Sequence, residues 1–297
     1  MLVTGATGFL GRRVVARLVE RGIEVTAHGN SRAFRDLGEV RLDKRFDAVE
    51  SMQGDLADYD IATDLLGSWR WNAVVNLAGP VTSGNEDLRT GIAVVTAHER
   101  IALHVKRFAE DARIVHASSM TVYGVPEQVD VDEYHPTRPV HLYGLAKLVA
   151  ECILLVDPAT DAWVLRLPGL FSEDRASGAL FHFCRAARAG EPIRVTTATP
   201  TAWNVLHVDD AADAIVRALT ATGKPRTAIN ISYDEPVDLI AVAKLIAAHA
   251  GAGSTVEAAV AHPPFRMNAT RAKQSLGWKP PTLRERLTKL YADYAAT

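Results

Sequence analysis

Tyr143 and Lys147 lie four residues apart in Tyr143-Gly144-Leu145-Ala146-Lys147, so on a helix they share one face. A phenol ordinarily ionises near ~10 and is a poor proton donor or acceptor at neutral pH. Bringing it to about 7 takes ~4 kcal/mol of differential stabilisation, which a neighbouring ammonium helps to supply. Upstream, Arg113-Ile114-Val115-His116-Ala117 reads as a strand whose end presents Ser118 and Ser119. A hydroxyl there could hold a substrate oxygen near the phenol. Ser119, Tyr143 and Lys147 are therefore the candidate catalytic set. The competing reading is a tyrosine and a lysine on an ordinary amphipathic helix.

A third signal opens the chain. Met1 to Thr4 reads as a short buried strand, followed by Gly5-Ala6-Thr7-Gly8-Phe9-Leu10-Gly11 and by Val14, Val15, Leu18 and Val19 at helical spacing up to Gly22. Strand, glycine turn and helix N-terminus make a pyrophosphate cradle, in which side chains larger than hydrogen block close approach. The second strand, Ile23 to His28, runs into Gly29-Asn30-Ser31-Arg32. An NAD enzyme usually carries an acid there for the ribose 2′-OH. With no carboxylate present, Asn30, Ser31 and Arg32 suit a 2′-phosphate, which favours NADP and leaves NAD as the alternative; a solvated arginine in a polar loop competes with this. Asp55 and Leu56, after a strand near Val49 to Gln53, and Leu77, Ala78 and Gly79, ending a strand from Asn72, fit the same binding site.

Taken together, these segments resemble an extended short-chain dehydrogenase/reductase of the NAD-dependent epimerase/dehydratase family. The resemblance spans nearly the whole chain. It rests on Thr4 to Gly11, Ser118 to Gly124, Tyr143 to Lys147, Leu165-Arg166-Leu167-Pro168-Gly169, His207-Val208-Asp209-Asp210 and Leu276-Gly277-Trp278. It implies that Ser119, Tyr143 and Lys147 form the catalytic triad and that Pro168 and Gly169 border the nicotinamide. It also implies a nucleotide sugar as substrate, with Val81, Thr121 and Arg266 assigned to the substrate side. Dehydratases of the family usually carry an acidic pair where Met120 and Thr121 stand here, so dehydration is disfavoured. The helix that often reads Asn-x-x-Gly-Thr has Val94 to His98 instead, without the asparagine. Thr201 to Leu206 lack the arginine that nucleotide-sugar enzymes frequently place on the pyrophosphate, a duty that Arg194 or Arg266 could take over. The expected activity is NADPH-dependent reduction of a keto group on a nucleotide-activated deoxysugar. A nucleotide-sugar epimerase with tightly bound NAD and a reductase of a non-sugar carbonyl compound are the alternatives.

The elements that must position these residues alternate strand and helix through about residue 166. That pattern signals an α/β fold, a Rossmann-type doubly wound parallel sheet, with a smaller C-terminal α/β substrate lobe. Residues 1–170 are expected to form the dinucleotide-binding domain and 171–297 the substrate lobe, with 205–231 returning to the larger sheet. Ser172 to Gly178 is a candidate lid or a plain connection. Helices expected at Asp87 to Phe108 and Leu142 to Val156 are apolar on more than one face, which fits either a homodimer or deeper burial.

A net charge of −2 gives no electrostatic case for nucleic acid or membrane binding, and 48% hydrophobic with 23% charged residues is ordinary for a soluble enzyme. No signal-like N-terminus and no membrane-length apolar run is present, so the expected compartment is cytoplasmic. Cys152 and Cys184 read as buried thiols. Histidines at 98 and 104, and at 135 and 141, lack ligand spacing, and no metal is assigned.

Overall fold

A computed structural model describes residues 1–41, 43–82, 87–175, 177–195, 204–235, 238–250, 255–258 and 266–296. Seven parallel strands form the central sheet in the order Ile229–Asn230, Ala162–Leu167, Arg113–Ser119, Ala73–Asn76, Leu2–Thr4, Thr26–Gly29, Glu50–Gln53. The register aligns Val3 with Val75, Val75 with Val115 and Val115 with Trp163. Period-two alternation divides these buried runs between two cores. Val3, Val75, Val115 and Leu165 pack with Val14, Val15 and Leu18 of helix Phe9–Val19 and Ala211 and Ile215 of helix Val208–Thr220. Leu2, Val74, Ile114 and Val164 pack with Ala62 and Leu66 of helix Tyr59–Gly67, Ile101 and Val105 of helix Leu88–Phe108, and Leu154 of helix Leu142–Leu155. Both sheet faces are thus covered, as a parallel sheet requires.

The strand order reverses at Leu2–Thr4, which has Thr26–Gly29 on one side and Ala73–Asn76 on the other. Open α/β sheets bind ligands at the carboxyl ends of strands at such a switch point. The two strand ends meet closely there: a Cβ on Gly5, whose φ is +66°, would lie 2.8 Å from the carbonyl carbon of Leu77.

Three expectations are corrected. Val205–His207 is a strand, but it pairs with Gly169–Phe171 in a separate two-stranded parallel sheet. Pro168 has no N–H to continue the ladder, Gly169 N–H donates to Asn204 O at 3.1 Å, and Ile229–Asn230 takes the place beside Ala162–Leu167. The second strand begins at Thr26 rather than Ile23. Cys152 is exposed on helix Leu142–Leu155, whereas Cys184 is buried. The lid proposed over 172–178 includes residue 176, and the segment 201–206 includes 201–203; those positions lie outside the described residues.

Asp210 gathers the chain after residue 205. It is buried, accepts from Tyr233 Oη at 2.7 Å and Arg286 Nε at 2.9 Å, and its backbone carbonyl accepts from Trp278 Nε1 at 3.1 Å. The His-Val-Asp-Asp and Leu-Gly-Trp segments are thus two halves of one buried fastening. No helix among the described residues is long and apolar enough to cross a membrane.

Candidate active site

A cavity of about 640 Å³ runs along the carboxyl ends of the central strands. Gly5, Thr7, Gly8, Phe9, Leu10 and Gly11 line one end. Gly8 occupies the N-cap of helix Phe9–Val19 without a side-chain cap, and no acid sits in the first turn. First-turn N–H groups are thereby left for an anion. A Cβ on Gly11 would overlap the Gly5 carbonyl, so this glycine lets helix and turn pack together. Thr4 Oγ1 accepts from Leu77 N and Ala78 N, each at 3.2 Å, and donates to Asn76 Oδ1 at 2.9 Å. The strand ends forming the cavity floor are pinned by that one hydroxyl. The cradle fits a dinucleotide: the turn is closed to side chains, and the helix end above it is uncapped.

Of the residues expected to hold a cofactor, Asn30, Asp55, Leu56, Leu77, Ala78, Gly79, Pro168 and Gly169 also line the cavity. Asp55 Oδ1 accepts from Ala57 N at 2.9 Å. Ser31 and Arg32 are exposed and stand outside the lining. Gly29 ends its strand in a confined place, where a Cβ would overlap the Arg32 carbonyl and come within 2.6 Å of Thr7 Cγ2. Val81 and Thr121 line the cavity, but Arg266 does not. Arg266 is engaged by Asp130, with Nε donating at 3.0 Å, and by the Asp234 carbonyl at 3.3 Å, where strand Arg266–Met267 pairs with Asp130–Val131.

Ser119, Tyr143 and Lys147 face the same cavity. Ser119 is the last residue of its strand and the N-cap of the 3-10 turn Met120–Tyr123. Its Oγ accepts from Thr121 N at 3.2 Å and Thr121 Oγ1 at 3.0 Å. With both acceptor positions used, the Ser119 O–H remains free to donate. Lys147 Nζ donates to the Ala117 carbonyl at 2.9 Å and lies 5.8 Å from the Tyr143 ring centre. Burial lowers Lys147 to about 8, while Glu151 pulls it upward. Glu151 is locked in turn to Arg166 at 2.7 Å and to the Ser118 hydroxyl. Burial raises Tyr143 to about 12, so in this pocket the phenol keeps its proton across the physiological range. A proton donor, a hydroxyl donor and a cation therefore meet beside a dinucleotide cradle.

The sequence matches the NAD dependent epimerase/dehydratase family over residues 1–232. The chain belongs to that family. It is 29% identical to the dTDP-6-deoxy-L-talose 4-dehydrogenase (NAD(P)(+)) of Kitasatospora kifunensis, over 97% of this chain and 93% of that protein. It is 27% identical to the UDP-glucose 4-epimerase of Mycolicibacterium smegmatis, over 94% and 93%. Among solved structures, Bordetella bronchiseptica WbmG in complex with NAD superposes with a TM-score of 0.80 at 19% identity, covering 100% of this chain and 94% of that one. Pal from Bacillus thuringiensis gives 0.81 at 20%, covering 99% and 98%. Both share the fold of this epimerase/dehydratase family member.

Two residues, Arg175 in the cavity lining and His98 behind Tyr143, were not identified by sequence reasoning. His98 closes the segment Val94 to His98, in which Val94 takes the place of the family's asparagine. It is buried, its Nε2 is 3.1 Å from the Pro80 carbonyl, and its ring packs against Gly79 and Tyr143. A carbonyl only accepts, so Nε2 carries the proton; burial and then the charge of Lys147 lower this imidazole to about 3. His141 caps helix Leu142–Leu155, its Nδ1 accepting from Gly144 N at 3.1 Å, and stacks on Tyr143 with ring centres 6.3 Å apart. Its place two residues before Tyr143 was the available signal. Arg175 lines the cavity from the loop after Gly169–Phe171, and no local pattern marks it.

Proposed function

We propose that this enzyme uses a nicotinamide dinucleotide, NADPH in preference to NADH, to reduce a keto group on a nucleotide-activated deoxysugar. The first 170 residues bind the dinucleotide and residues 171–297 carry the substrate lobe. The observation that carries the reading is that the buried Tyr143 phenol shares one cavity with Ser119, Lys147 and the glycine cradle. Reduction of a carbonyl needs a proton at the oxygen; burial alone holds the phenol far above neutrality, and the Lys147 ammonium, 5.8 Å from the ring centre, favours the phenolate and so eases release of that proton. Gly5, Gly8 and Gly11 admit the diphosphate to the backbone, while Asp55 and Leu56 lie on the adenosine side. Pro168 and Gly169 border the nicotinamide. The bound dinucleotide supplies the hydride.

Ser119 donates its free O–H to the carbonyl oxygen and fixes it for Tyr143, which gives up its proton. Lys147, anchored on the Ala117 carbonyl, stabilises the phenolate left behind. Thr121 holds Ser119 in its donor role and Val81 lies at the substrate rim. NADP is favoured because the strand end at Gly29 has no room for the acid that would repel a 2′-phosphate. The relative that is an NAD(P)(+) 4-dehydrogenase of a dTDP-6-deoxysugar supports the substrate class. The same residues serve an epimerase that retains its cofactor, a second reading favoured by the relative named UDP-glucose 4-epimerase. A cytoplasmic homodimer, paired through helices Leu88–Phe108 and Leu142–Leu155, completes the proposal; Leu88, Ile92 and Leu103 are exposed on the first of them.

Replacing Tyr143 by Phe tests the mechanism. Turnover is expected to be lost with dinucleotide affinity within about twofold of wild type, and retained turnover would refute the role given to the phenol.

A further inference from the structure

Arg175 and Lys147 are the two Lys or Arg side chains among the described lining residues, set against one carboxylate, Asp55. Their commitments differ. Lys147 Nζ is engaged by the Ala117 carbonyl and answers electrostatically to Glu151. The Arg175 guanidinium lies 5.0 Å from the centre of the Phe9 ring, with one nitrogen on the Leu170 carbonyl and Nε on Ser177 Oγ at 3.2 Å. Among the described residues no carboxylate pairs with it. Its neighbour Asp174 reaches across to Arg13 at 2.8 Å and accepts from Ser172. Burial lowers the Arg175 pKa with nothing to offset it, the condition of a cation waiting for an anion.

We propose that Arg175 is a diphosphate clamp, and that the diphosphate it grips is the one joining the two halves of the dinucleotide. Phe9 opens helix Phe9–Val19, directly after the uncapped Gly8, so a guanidinium stacked on its ring lies beside the helix end. The anion is held between backbone N–H groups on one side and the planar N–H fork on the other. The Asp174–Arg13 pair fastens the arginine's loop to that same helix and fixes the fork in place. A nucleoside-diphosphate substrate offers the same chemistry, but the contact with Phe9 favours the dinucleotide. The inference rests on the nicotinamide dinucleotide reading above.

Calorimetric titration of wild type, Arg175→Gln and Arg175→Lys with NADP⁺, ADP-ribose, AMP and UDP tests it. Arg175→Gln is expected to weaken NADP⁺ and ADP-ribose by about 10- to 100-fold and to leave AMP and the unfolding temperature unchanged. Arg175→Lys should recover part of the loss, because the charge remains while the fork is gone. Unchanged NADP⁺ affinity in Arg175→Gln overturns the clamp, as does an equal loss for AMP and ADP-ribose. A loss confined to UDP assigns the guanidinium to the substrate and overturns the dinucleotide assignment. A wild-type protein that binds no dinucleotide refutes the cofactor reading itself, an outcome separable from failure of the clamp alone.

Discussion

His98 and Tyr143 meet edge to face, with ring centres 6.0 Å apart and planes inclined by 70°. The imidazole backs the phenol and ties its own Nε2 to the Pro80 carbonyl, so the tyrosine helix and the loop after strand Ala73–Asn76 are held in register through one side chain. Burial keeps this imidazole neutral, and the adjoining Lys147 charge acts in the same direction.

The neutrality of His98 has a pH signature. Its folded-state pKa of about 3 lies below the ordinary 6.5, so the unfolded chain binds more protons between those values and stability falls as pH drops through that window. Between pH 7 and pH 5 the expected loss from this residue is about 2 kcal/mol. Urea unfolding should show a correspondingly shallower pH slope in His98→Gln, which keeps a donor for Pro80. An unchanged slope would contradict the assignment. His116, buried in the sheet with Nδ1 3.1 Å from Asn76 Nδ2, is lowered chiefly by burial too and accounts for part of the slope that remains.

Catalysis should decline on the alkaline side. Lys147 loses its proton near 8 while Tyr143 keeps its own to about 12. The rate of reduction is therefore expected to fall as pH rises past about 8, following the lysine rather than the phenol. A pH profile of kcat/KM that stays flat to pH 10 would separate Lys147 from phenolate stabilisation.

Thr121 acts through Ser119. Removing the serine hydroxyl in Ser119→Ala should cost about 10²- to 10³-fold in kcat. Thr121→Val keeps the backbone bond at 3.2 Å and loses the hydroxyl bond at 3.0 Å. It should cost about tenfold in kcat with KM little changed, since Ser119 regains freedom to turn its proton away. Wild-type kcat in Thr121→Val would show that the backbone bond alone suffices.

Gly29 should resist conversion to an NAD-type strand end. In Gly29→Asp the new Cβ overlaps the Arg32 carbonyl, so the loop must move, at a cost of roughly 1–3 kcal/mol. Thermal unfolding and the ratio of NADP to NAD affinities read the two effects. A fully stable variant that simply switched to NAD would refute the steric argument.

The parts of the site that were legible in the sequence are those written in contiguous residues. Gly5, Gly8 and Gly11 announce themselves through spacing, Tyr143 and Lys147 through one helical turn, and Ser119 through its place at the end of an apolar strand. Arg175 reaches the cavity from a loop and His98 packs behind Gly79 and Tyr143, both through tertiary packing with no local pattern. Arg266 was expected to replace the arginine missing from Thr201 to Leu206, yet a two-residue strand pairing delivers it to Asp130. The sheet was read from its long apolar runs. Strands of two or three residues such as Asp130–Val131 and Ile193–Val195 have no period to detect, and pairing across the fold defines them.

Ketoreduction is tested by nicotinamide absorbance after mixing the protein with equimolar NADPH and a 4-keto-6-deoxy nucleotide sugar, with NADH in parallel. Stoichiometric loss of NADPH absorbance is expected, faster than with NADH and absent in Tyr143→Phe. No loss with either cofactor, together with NAD already bound to the purified protein, would contradict the ketoreductase reading and identify an epimerase.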